Sequence, residues 1–172
     1  ADPHMRRLVL GNARYWLEEF DFDGLRLDAT HGIIDRSSVH ILAELAEVAR
    51  SVGRHRVLIA EDERNDPALV EDHGLDGVWA DDFHHVLHVA LTGETQSYYH
   101  DYGEDTLNQL ARCLTNGMLY EPSARLEGGA RKSPREAPQQ PLGAMVNFAH
   151  NHDQTGNRPF GERLRNLVPP GA

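Results

Sequence analysis

Three apolar runs that each close on an acid constrain this chain more than any other feature. DGLRLDATH (23–31) carries Asp28, RVLIAE (56–61) ends on Glu61, and AMVNFAHNHD (144–153) ends on Asp153. Short, nearly continuous apolar runs are what strands covered on both faces require, the pattern of a parallel sheet flanked by helices. Between the first two runs lies a helical stripe, Ile41, Leu42, Leu45, Val48, Ala49 and Val52, which ends at Gly53 and which Ser37 and Ser38 are placed to cap. Upstream, Leu8, Ala13, Trp16, Leu17 and Phe20 recur at near-helical spacing and stop at the turn-forming Asp21-Phe22-Asp23-Gly24. Downstream, the text predicts a strand around Val78 and Trp79, a helix from about Asp82 to Leu91 and another from about Glu104 to Asn116. Residues 121–141 hold four prolines and Gly128-Gly129 and read as a long loop just ahead of the third acid. Helix and strand alternate, so the expected class is α/β.

Spacing makes the acids a set. Asp28 and Glu61 are separated by one strand–helix–strand step, roughly 30 residues, so neighbouring strands bring them together. Asp153 follows after room for two more such units and the loop, and residues at one end of parallel barrel strands converge on one pocket. A full eight-stranded barrel needs roughly 250 residues, and 172 suffice for one domain with a real core but only part of such a barrel. Arg26 and Asp28 project from the same face of their strand, and a guanidinium beside a carboxylate keeps it ionised, as a nucleophile requires. Each feature also has a plainer explanation. Arg-x-Asp on a strand is commonly a structural ion pair, Glu61 commonly the solvated end of a strand, and Asp153 a turn former or helix cap.

Composition excludes several classes. With 40% hydrophobic and 26% charged residues the chain is globular in type, and a net charge of −10 with 17 scattered basic residues does not describe a nucleic-acid-binding surface. A single cysteine, Cys113, excludes an intramolecular disulfide. No run of 18 apolar residues and no signal peptide is present, which makes no membrane association and the cytoplasm the expectations. Among the 11 histidines, His84 and His88 have the i, i+4 spacing of a helical metal pair, preceded by Asp81 and Asp82. No glutamate follows His84, no third ligand is indicated, and His88 lies among Val86, Leu87, Val89 and Ala90, so neither a metal nor another cofactor is expected.

The three acid tracts, in this order, resemble the later signature regions of the α-amylase superfamily of glycoside hydrolases. LIAEDERNDP (58–67), GVWADDFHH (77–85), LTGETQSYYHDYG (91–103) and NHDQTGNRPFGERL (151–164) are similar, within that superfamily, to the maltooligosyltrehalose trehalohydrolase family, over nearly the whole chain. The resemblance implies part of a (β/α)8 TIM barrel, approximately strands four to seven with their helices, across residues 1–172. It implies a retaining hydrolase that releases trehalose from a trehalose-capped maltooligosaccharide, with Asp28 as nucleophile, Glu61 as general acid/base and Asp153 as transition-state stabiliser. Asp28 must be ionised and Glu61 protonated, so their surroundings are expected to push the two apart. Among substrate-binding residues the resemblance implies Arg26 beside the nucleophile, His152 at the cleaved sugar, His31 on the leaving-group rim, and Asn65, Asp82 and His84 at the trehalose part. Trp79, Phe83, Tyr98 and Tyr99 are expected in core or loop packing. The superfamily's first signature, an aspartate and a histidine after the third barrel strand, has no counterpart here. Two alternatives remain open: another α-glucan-acting relative, branching or trehalose-forming, and a fragment with only binding or structural character. Four of eight strands leave open edges, so self-association or completion by the remainder of the same polypeptide is expected.

Overall fold

The computed structural model of the chain describes residues 2–120 and 140–169. Four strands, β1 (Gly24–Leu27), β2 (Val57–Ala60), β3 (Gly77–Trp79) and β4 (Met145–Val146), follow one another in the sheet in chain order. β1 pairs parallel with β2, and β2 parallel with β3. The helices are α1 (Pro3–Glu18), α2 (Ile41–Ser51), α3 (Ala68–Glu71), α4 (Asp81–Thr92), α5 (Thr106–Asn116), α6 (His152–Gly156) and α7 (Leu164–Leu167). The expected α/β alternation is present. The chain divides into two compact units, residues 1–79 with 143–145, and residues 80–142 with 146–172. Of the expected loop at 121–141, positions 121–139 lie outside the described residues. Among the described residues no helix is long and apolar enough to cross a membrane.

In the first unit Leu42, Leu45, Ala46 and Ala49 of α2 are buried together with Ala13 and Leu17 of α1 and Leu58, Ala60 and Val78 of the sheet. The register sets Leu27 beside Ala60. The next residues, Asp28 and Glu61, therefore leave the sheet side by side. At the other end of the pair Gly24 faces Val57, and a Cβ there would sit 2.2 Å from the Val57 carbonyl oxygen, so glycine is the residue that lets these strands close. Two details differ from the sequence reading. The cap of α2 is His40, whose Nδ1 accepts from the Leu42 amide, rather than Ser37 or Ser38. Asp35 takes the preceding turn, accepting from the amides of Ser37 and Ile41 while pairing with Arg6, and hydrogen bonding from the Ser37 side chain foremost, with those amides, holds its carboxyl far below the usual range. The α1 stripe is also less buried than its period implied. Leu8 is 64% exposed, and Trp16 and Phe20 cover one another and Tyr15 and Phe22 at ring distances of 4.9–6.4 Å.

The second unit packs Val86 and Val89 of α4 and Cys113 of α5 against Tyr99, Tyr102, Leu119 and Tyr120. Its ionic anchor is Glu94, gripped by both terminal nitrogens of Arg158 (2.9 and 2.6 Å), with His88 Nε2 2.8 Å from the same carboxylate. The Arg158 hydrogen bonds foremost hold Glu94 at about 2 instead of its ordinary 4.5. Because the folded value lies below the unfolded one, the pair contributes its full stability above about 4.5 and loses it as pH falls toward about 2. Glu94→Gln is expected to cost about 1–2 kcal/mol at neutral pH and to flatten the acid side of a urea-midpoint-versus-pH curve. Parallel curves for the two proteins would refute this.

Candidate active site

β1 and β2 end level, and each hands its acid to a loop. Arg26, the third residue of β1, spans the gap. One terminal nitrogen bonds the Asp28 carboxylate, the other lies 2.8 Å from Glu61 Oε2, and the guanidinium plane sits 4.3 Å from the Trp79 ring centroid. Trp79 is thus the platform of the site's cation and not simply packing. The Asp28 side chain is 77% exposed and that of Glu61 24%. An accessible carboxylate beside a more enclosed one is a chemically asymmetric pair.

The loop after β1 is built around Glu61. Ala29 adopts φ 44°, the left-handed region that costs a residue with a Cβ, and the turn aims its amide at Glu61 Oε2 (2.9 Å). Thr30, fully buried, donates its amide to the Glu61 carbonyl at 3.0 Å and its hydroxyl to Asp62 Oδ2 at 2.7 Å, the hydroxyl oxygen also lying 3.0 Å from that carbonyl. Asp62 is 1% exposed and is clasped by Arg64 through the amide, Nε and Nη2 (2.9, 3.0 and 2.6 Å). Burial works against its charge, but the bonds from Arg64 and Thr30 outweigh it and hold the Asp62 carboxyl below its ordinary value. The sequence reading passed over Thr30 and Asp62. Their signal was present: each stands within two residues of a candidate acid.

The remaining candidates are distributed as follows. His31 lies in the short 3-10 turn Thr30–Gly32 that follows Asp28 and Ala29, its Nδ1 buried with no hydrogen-bond partner among the described residues. Asn65 is buried, with φ 59°, in the loop that follows Glu61. In the second unit Asn151 caps α6 in a reciprocal box with Gln154, which puts His152 and Asp153 in the first turn, both exposed, with His152 Nε2 3.5 Å from Asp153 Oδ2. Asp153 is therefore not itself the cap. Asp82 has no solvent exposure: it accepts from the Tyr102 hydroxyl (2.7 Å) and the amides of Leu119 and Tyr120 (2.8 and 3.2 Å). A carboxylate so enclosed braces its own unit. His84 is likewise buried, its Nε2 2.9 Å from Asp81 Oδ1. His88 faces Glu94 and does not meet His84's partner, so the i, i+4 pair is not one site.

No family model matches the chain. It is 48% identical over 167 residues to the malto-oligosyltrehalose trehalohydrolase of Deinococcus radiodurans, covering 95% of this chain and 27% of the relative. It is 40% identical over 182 residues to that of Rhizobium sp. strain M-11, covering all of this chain and 30% of the relative. A crystal structure from Salmonella typhimurium described as an alpha amylase superposes with a TM-score of 0.80 at 38% identity, over 95% of this chain and 29% of that one. Parallel strands ending level on an arginine-bridged acid pair, in the fold of such a protein, define part of a barrel of the α-amylase class of glycosidases. The chain spans less than a third of the length of the relatives it matches. Within that class it belongs to the malto-oligosyltrehalose trehalohydrolase family.

One prediction concerns the loop itself. Thr30→Val keeps the shape of the side chain and removes its hydroxyl, so the buried Asp62 carboxylate loses its nearest hydroxyl donor while the Glu61 carbonyl keeps the Thr30 amide. In the full-length protein it is expected to destabilise by about 1–3 kcal/mol and to lower kcat roughly tenfold or more with KM little changed, with Thr30→Ser restoring both. Equal activity in the Val and wild-type proteins would sink the idea.

Proposed function

We propose that the full-length protein hydrolyses the α-1,4-glucosidic bond next to the trehalose end of maltooligosyltrehalose, with retention at the anomeric carbon. The observation that carries this is Arg26 joining Asp28 and Glu61 at the level ends of adjacent parallel strands. Family membership selects the substrate: the relatives matched over nearly the whole chain are named for trehalose release. In this reading Asp28 attacks the anomeric carbon while Glu61 gives its proton to the departing trehalose oxygen; Glu61 then takes a proton from water as the water displaces Asp28. Asp153 and His152 hold hydroxyls of the sugar being cleaved, Arg26 orients the nucleophile, and His31 and Asn65 belong to the leaving-group side. A neutral glucan needs no basic groove, in keeping with the net charge of −10.

The test is to incubate the full-length protein with maltooligosyltrehalose and follow products by chromatography and anomer-resolved NMR. Free trehalose with the maltooligosaccharide appearing first as its α-anomer is expected. Transfer of the glucan to another sugar with no trehalose released, or first appearance of the β-anomer, would overturn the reading.

A further inference from the structure

The first turn of α4 gathers three metal-competent side chains. Asp81 presents one carboxylate oxygen to His84 Nε2 at 2.9 Å and the other to His85 Nδ1 at 3.5 Å, and one donor atom from each of the three residues lies within 4.8 Å of the other two. A helix makes this possible because positions i, i+3 and i+4 share one face. Donors in a tetrahedral site with bonds of about 2.0 Å stand roughly 3.3 Å apart, and each histidine lies within a few tenths of an ångström of that spacing from its own oxygen of the Asp81 carboxylate. Each imidazole turns an edge toward the same carboxylate, so a cation at the common point would replace protons the cluster now shares.

The surroundings fit such a cation. His84 and His85 are 2% and 7% exposed, while Asp81 keeps a partly open side from which water can complete the coordination. Phe148 stacks on His84 at 4.4 Å, and Tyr98, Tyr99 and Tyr102 surround His85 at 5.0–5.6 Å, which fixes both rings. We propose that Asp81, His84 and His85 form a binding site for one divalent cation of the zinc class. Two imidazoles and one carboxylate suit zinc or cobalt, whereas magnesium and calcium take oxygen ligands. His84 Nδ1 is buried with no hydrogen-bond partner among the described residues, so this ligand lacks the acceptor that normally orients a metal-bound imidazole. That absence places the affinity about 10–100-fold below that of a fully supported site. The residues sit in a single helical turn, so the cation would clamp the start of α4.

The experiment uses tag-free full-length protein, stripped with chelator, dialysed and titrated with zinc chloride by calorimetry. One zinc per chain is expected, no comparable heat with magnesium, and at least a tenfold loss of affinity in both His85→Ala and Asp81→Asn at unchanged metal-free melting temperature. The wild type loaded with cobalt is expected to show the intense visible absorption of a four-coordinate ion, a readout that does not depend on the variants folding. Unchanged zinc affinity in the folded variants, or a cobalt spectrum like that of the aquo ion, would overturn the site. Neither outcome bears on trehalose release.

Discussion

On the proposed function, Asp28→Asn is expected to abolish trehalose release by the full-length protein. The carboxamide occupies nearly the same volume and can still accept from Arg26, but it offers no anionic oxygen to the anomeric carbon, so the glycosyl intermediate cannot form. A loss of at least about 10⁴-fold in kcat is expected, the scale seen when a nucleophile is removed and only binding and electrostatics remain. The fold should be nearly indifferent, because the Asp28 side chain is 77% exposed and an ion pair at that exposure contributes at most about 1 kcal/mol. Substrate affinity measured on the inactive variant should stay within severalfold of the wild type. Retention of even a tenth of normal turnover would remove Asp28 from the nucleophile's role.

Glu61→Gln separates the second acid from the first. A general acid gives its proton to the departing oxygen, so the variant should lose about 10²–10⁴-fold on the natural substrate. Glycosides with very good leaving groups need little protonation and should be cleaved at close to the normal first-step rate. The amide oxygen of Gln can still take the Ala29 N–H, so the loop that frames the site should persist. An equal loss on activated and natural substrates would exclude the acid role.

The sequence disclosed the parts of this molecule that depend on short-range periodicity. The strand bearing Arg26 and the strand ending at Ala60 were legible as short, mostly apolar runs, and their acids because each stands where such a run stops, although β1 is only half-buried along its length and Val57 of β2 is exposed, short of the cover on both faces that the runs implied. The α/β alternation and the stripe of α2 were legible for the same reason. What could not be read depends on partners distant in the chain. Nothing in DDFHH says that Asp82 will be used up by the amides of Leu119 and Tyr120 while its neighbour Asp81 stays partly open. The period of α1 marks apolar side chains without saying that Trp16 and Phe20 will shelter against other aromatic rings at the surface. Trp79 looked like core because a guanidinium beneath it belongs to another strand. His40 replaced the serines as a cap because Asp35, fixed by Arg6, had already claimed the turn they occupy.

The left-handed turn at Ala29 has a consequence for how proteins of this kind diverge. Residues 28–30 are tied to residues 61 and 62 through one amide on a carboxylate, one amide on a carbonyl, and one hydroxyl on a second carboxylate. Neither loop can gain or lose a residue without unseating the acid carried by the other, whereas segments outside these bonds are not held to either length. The two loops therefore constrain one another's length. A lineage exploring new glucans would be free to rewrite other loops while this pair changed only in concert, and anyone grafting the acid pair onto another barrel would have to move both tracts, Thr30 and Asp62 included, as one piece.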